Sequence, residues 1–123
     1  KNIKIWRIVH LSTFPNQTLT IEDNVKILWG DIIKGNIVIG ENSTIESSVN
    51  MTGSDEFPLR IGKNVLIKGS SYLFGSVVED DVTIEHSVLI KKKIKAENDA
   101  TGKIKPVRFY IPETEGKDLL SDI

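Results

Sequence analysis

From Ile21 onward, large aliphatic side chains return every six residues: Ile27, Ile33, Ile39, Ile45 and Met51 follow in step. A ten-residue step leads to Ile61, and sixes then reach Ile67 and Leu73. A five-residue step gives Val78, and sixes resume at Ile84 and Ile90. All twelve positions are large and apolar, a run that chance spacing would almost never produce. A second register, four residues after the first, holds Val25, Ile37, Val49, Val65, Val77, Val82 and Val88, with smaller Ser43 and Ser71. Asp31 is its one misfit. Polar turn formers lie between, at 22–24, 40–42, 62–64 and 79–81, where Gly and Asn tolerate the positive φ of a tight corner.

A six-residue step is the period of a parallel β-helix in which each face of a triangular prism is one short strand. The pattern therefore predicts an all-β, single-domain chain with a hexapeptide repeat and about four triangular coils over 21–95, starting at Ile21, Ile39, Ile61 and Val78. Its inward stacks are Ile21/Ile39/Ile61/Val78, Ile27/Ile45/Ile67/Ile84 and Ile33/Met51/Leu73/Ile90. The insertion TGSDEFPLR, 52–60, loops out of the prism, and such loops carry function more often than coils do. Residues 1–20, with the apolar stretch Ile3–Leu11 and Trp6, read as an N-terminal cap or edge strand. The tail, 96–123, reads as extended over Pro106–Pro112. It then reads as helical from Glu113, with Leu119, Leu120 and Ile123 on one face packing on the prism.

Composition agrees and then restricts the chemistry. The chain has 18 Ile and 10 Val against 9 Leu, and β-branched residues favour pleated surfaces over helices. Its 123 residues fit one domain. A net charge of −1 supplies no field for nucleic acid or an anionic membrane. No apolar run approaches the roughly 20 residues of a membrane helix. Zero cysteines exclude disulfides, thiolate nucleophiles and cysteine metal sites. Only His10 and His86 remain as imidazoles. The lysines at 91–93 and 95 read as a solvated end of the prism, with no interleaved aromatics to suggest nucleic acid. The chain starts at Lys1 without a methionine and shows no secretory signal pattern, so a cytoplasmic location is expected.

The stretch IVIGENSTIESSVNMTGSDEFPLRIGKNVLIKGSSYLFGSVVEDDVTIEHSVLI resembles the γ-class carbonic anhydrase family, whose fold is a left-handed parallel β-helix. TGSDEFPLRIG occupies the place of that family's His-Gly-Thr-Asp-Gly-Tyr-Pro-type loop and the Ile-Gly after it. The five-residue step from Leu73 to Val78 recurs where the family has Leu-His-Gly-Cys-Thr, and ILWGDIIKGN looks like its segment ending in Arg-Gly-Asp.

The resemblance implies a catalytic metal held by three histidines at a trimer interface, and this chain has Thr52, Gly69 and Phe74 at those positions. The subunit-joining Arg-Gly-Asp reads Lys34-Gly35-Asn36, and the family's Gln-Asp pair reads Glu46-Ser47. A catalytic divalent metal needs about three donors and an open position. Glycine and phenylalanine offer no donor, and one threonine hydroxyl is a poor ligand. The expectation is a non-catalytic subunit without cofactor or zinc, serving as a trimeric scaffold or assembly element. It would form a homotrimer, or a heterotrimer with γ-carbonic anhydrase paralogues inside a larger complex such as respiratory complex I. That second case places it in the mitochondrial matrix. Phe74, Thr52, Tyr72 and Phe57 are expected to fill the former metal cavity. Two enzyme readings stand against this. One is a hexapeptide-repeat acyltransferase with His86 or His10 as base, although IEHSVLIKKK lacks the Ile-Gly-Gly-Gly-Ala-like segment of the sugar-type enzymes. The other is a carbonic anhydrase with a metal site relocated to His86.

Overall fold

The computed structural model describes residues 2–5, 9–96, 100–102, 107–109, 114–115 and 120–123. They build a parallel β-solenoid of five three-sided coils, and none of them is helical. The first coil is β1 (Lys4–Ile5), β2 (His10–Ser12) and β3 (Leu19–Ile21), and the second is β4 (Lys26–Ile27), β5 (Ile32–Gly35) and β6 (Ile37–Ile39). The third is β7 (Thr44–Ile45), β8 (Asn50–Gly53) and β9 (Leu59–Ile61). The fourth is β10 (Leu66–Ile67), β11 (Tyr72–Phe74) and β12 (Val77–Val78), and the fifth is β13 (Thr83–Glu85), β14 (Val88–Ile90) and β15 (Lys92–Ile94). Stacked strands form face A (β1, β4, β7, β10, β13), face B (β2, β5, β8, β11, β14) and face C (β3, β6, β9, β12, β15).

Inward side chains sit above one another as the six-residue step predicts. Ile27, Ile45, Ile67 and Ile84 stack on face A, and Ile21, Ile39, Ile61 and Val78 on face C. On face B, Ile33, Met51 and Leu73 continue into Leu89, not Ile90. Leu89 is 1% exposed and Ile90 50%. A second five-residue step, from Ile84 to Leu89, shifts the register here. The second register shifts with it: Ser76 and Ser87 are buried where Val77 and Val88 were expected.

There are five coils rather than four, because residues 4–21 form a coil of their own. Ile5 pairs with Ile27 and Leu11 with Ile33, so the stacks begin earlier than Ile21. The insertion is also shorter than 52–60: Thr52 and Gly53 belong to β8, Leu59 and Arg60 to β9, and only 54–58 leave the ladder. Trp6 lies outside the described residues.

The C-terminal helix is a correction. The described parts of 113–123 are strands, β17 (Thr114–Glu115) and β18 (Leu120–Asp122), following β16 (Val107–Phe109). β16 continues face A in parallel with β13, β17 pairs antiparallel with β16, and β18 pairs antiparallel with β15 on face C. Pairing to exposed ladder ends outweighs the helical spacing of Leu120 and Ile123, whose partner Leu119 lies outside the described residues.

Corners are made by left-handed backbone. Asn24, Asn42, Asn64 and Asp81 stack at the C–A corner with φ of 57 to 65°. Gly35 turns the B–C corner at φ 100°, and a Cβ there would lie 2.0 Å from the Gly53 carbonyl oxygen, so glycine is required. Buried polar side chains tie one coil to the next. Ser43 Oγ accepts the Val65 amide, Ser71 Oγ the Ser87 amide and Ser76 Oγ the Lys92 amide, each at 3.1 Å. Their hydroxyls donate to Gly62, Lys68 and Phe74 carbonyls, so these buried groups are satisfied on both counts.

Candidate interaction surface

Strand alternation turns two columns of side chains outward from face B. One is His10, Ile32, Asn50, Tyr72 and Val88; the other is Ser12, Lys34, Thr52, Phe74 and Ile90. Tyr72 lies opposite Val88 and Phe74 opposite Ile90, so the last two coils carry a block of four apolar side chains on the outside of the prism. Val88 is 51% exposed, whereas Tyr72 and Phe74 are half-buried. Ile32, two coils away, and Trp29, in the turn entering face B, are also exposed. The outward columns of face A are more polar, with Lys4, Lys26, Thr44, Leu66 and Thr83 in one and Leu28, Glu46, Lys68 and Glu85 in the other.

Thr52 and Phe74 are directly paired across β8 and β11. Gly69 lies in the turn between β10 and β11, at the opposite side of face B. A Cβ on Gly69 would stand 2.8 Å from the Ser47 carbonyl oxygen, so this corner has little room for a side chain. Among the described residues no three His, Cys, Asp or Glu lie close enough to hold a metal ion.

Lys34 and Gly35 end β5, and the Lys34 ammonium sits 4.8 Å from the centre of the Phe14 ring. Asn36 crosslinks coils: its carbonyl accepts the Leu59 amide at 3.0 Å, and its side-chain oxygen accepts from the Arg60 guanidinium at 3.0 Å. The short insertion folds on itself through the Phe57 amide and Ser54 Oγ, 2.9 Å apart. Phe57 packs over Gly75 at the B–C corner, under the Lys91 ammonium at 4.3 Å. Phe57 is thus placed at the corner, while Tyr72, Thr52 and Phe74 line the open face.

His86 is exposed in the A–B turn, with Nδ1 2.6 Å from the Gly69 carbonyl oxygen. A carbonyl can only accept, so His86 Nδ1 is the donor in this contact. His10 is exposed in β2, four coils from His86. The lysines near the end do not act as one patch. Lys92 is half-buried and paired with Asp122, Lys91 lies over Phe57, and Lys93 and Lys95 are exposed.

The sequence misfit Asp31 is fully buried at the A–B corner. Its Oδ1 accepts the Val49 amide at 2.8 Å, and Oδ2 has no hydrogen-bond partner among the described residues. Burial pushes its carboxyl up from the usual 3.8 to about 7, against the lowering effect of backbone hydrogen bonds from Val49 and Leu28. Its place at this corner is the one that Val49, Ser71 and Ser87 occupy in the later coils.

No protein-family model matches the chain, and no curated protein matches it.

Proposed function

We propose that this protein is a non-catalytic assembly subunit of γ-carbonic-anhydrase-like, hexapeptide-repeat type, which trimerises side by side through the outer surface of face B. The observation that carries this reading is the apolar block of Tyr72, Phe74, Val88 and Ile90. One of its four members, Phe74, stands at a position where the resembled family has a metal ligand. Exposed aliphatic and aromatic groups in contact across strands are removed from water by association, the main driving force of subunit interfaces. The partner copies are either more of this chain or related subunits that keep the histidines.

The non-catalytic half of the reading is tested by elemental analysis of the purified protein after zinc, cobalt or iron loading, with a CO₂ hydration assay and a thermal-shift screen with coenzyme A. The expected result is no stoichiometric metal, no hydration above background and no shift. Stoichiometric metal with turnover, or a coenzyme A shift lost in His86→Ala, would replace it with one of the enzyme readings.

A further inference from the structure

Asp31 is the one ionisable side chain that is fully buried among the described residues. It ties three coils together at the A–B corner. Its carbonyl accepts the His10 amide of the first coil at 2.9 Å, and its Oδ1 accepts the Val49 amide of the third at 2.8 Å. The ladder is secure on either side. The Leu28 amide lies 2.9 Å from the Ile45 carbonyl, and the Ile32 amide 2.9 Å from the Val49 carbonyl. Between these anchors the backbone link to the next coil runs from the Ser48 amide to the Trp29 carbonyl. At 3.4 Å it is the longest of the turn bonds among the described residues.

The Asp31 side chain is thus a main fastening of this corner, and the corner itself is loosely built. Gly30 holds a φ of 83°, and a Cβ there would make only ordinary contacts with Ser48, so nothing clamps it. Trp29 before it is 55% exposed, and Ile32 beyond Asp31 is 41% exposed. The carboxyl is therefore in the core, yet its chain neighbours touch water. A charged carboxylate costs far more in an apolar column than a neutral carboxyl does. A short swing of the corner would hydrate it.

We propose that residues 29–31 form a pH-operated latch. With Asp31 neutral, its carboxyl stays in the core and holds the Val49 amide. With Asp31 ionised, its proton passes to solvent and the carboxylate turns out to water about Gly30. The Val49 amide then loses its side-chain acceptor, and Trp29 moves with the corner. Trp29 and Ile32 are exposed here, so the latch sets the shape of the second-coil end of face B. It needs no partner chain and stands apart from trimer formation. Burial raises the Asp31 carboxyl to about 7, which puts the change near neutral pH. The described charged or titratable groups on neighbouring elements are Lys4, His10, Lys26, Lys34 and Glu46, all on outer surfaces and not in the core with Asp31. Arg7, in the corner of the first coil, lies outside the described residues.

The test is amide hydrogen exchange by NMR between about pH 5.5 and pH 8.5, read as protection factors to remove the intrinsic pH dependence of exchange. Val49 should lose at least about tenfold in protection as pH passes through 7. Leu28 and Ile32, whose amides bond to backbone carbonyls, should keep theirs. Asp31→Asn keeps an acceptor for Val49 and should abolish the loss. His10→Gln, the control for a nearby imidazole, should leave the loss in place. Should Asp31→Asn fail to fold, the wild-type pattern with the His10→Gln control decides. Constant protection at Val49 overturns the proposal, because the carboxyl then never leaves its bond. Equal losses at Val49, Leu28 and Ile32 overturn it as general loosening. A loss that persists in Asp31→Asn, or vanishes in His10→Gln, overturns it by assigning the titration to another group.

Discussion

Asp31 in the second coil accepts the Val49 amide of the third at 2.8 Å with one carboxylate oxygen, and its other oxygen has no partner among the described residues. Burial disfavours the charged carboxylate and outweighs the backbone hydrogen bonds that favour it, so its pKa rises to about 7.

Stability should therefore fall between about pH 4 and pH 7. Below pH 3.8 Asp31 is protonated in both states, and its contribution is fully present. As pH rises, the unfolded chain loses the proton first, and the folded chain pays for a buried charge once pH passes about 7. At about 1.4 kcal/mol per pH unit the loss amounts to roughly 4 kcal/mol. An asparagine in place of Asp31 keeps an acceptor for the Val49 amide, so Asp31→Asn should flatten this slope and stabilise the protein at about pH 8. Urea unfolding at several pH values measures both, and an unchanged slope in the variant would count against the assignment.

Leu89 and Ile90 are adjacent and chemically alike, yet they face opposite ways. Leu89→Ala should cost about 2–5 kcal/mol by opening a cavity in the last coil. Ile90→Ala should cost less than about 1 kcal/mol. Equal losses in chemical denaturation would mean that the step from Ile84 is not five residues.

Gly35→Ala should be among the most damaging small changes, because φ is 100° and the new methyl would collide with the Gly53 carbonyl. A loss of at least about 2 kcal/mol is expected. Gly102→Ala has the same sign of φ with nothing within 4 Å, and should lose less. Thermal melts of the pair separate backbone strain from collision.

Most of the prism is legible because the six-residue step repeats without ambiguity from Ile27 to Met51. It fails at Val88-Leu89-Ile90, where three consecutive aliphatics carry no inside–outside contrast. A polar residue holds the information instead. GSVV at 75–78 and HSVL at 86–89 both place a serine two residues before the inward aliphatic, and both mark a shortened corner. The first coil is readable in the same way: the ten-residue step from Met51 to Ile61 also separates Leu11 from Ile21, and a six then reaches Ile5. Of the proposed interface, Phe74 and Tyr72 stand out from sequence. Val88 and Ile90 do not, because the unshifted register puts both inside.

The central claim, assembly through face B, is tested most directly by native mass spectrometry of the wild-type chain beside Phe74→Glu. Phe74 is half-buried on the outer surface, so the variant keeps the core while placing a charge inside the proposed contact. A trimer for the wild type and a folded monomer for Phe74→Glu are the expected masses. A wild-type monomer that gains no related subunits from its source, or a trimer that Phe74→Glu leaves intact, would contradict the account.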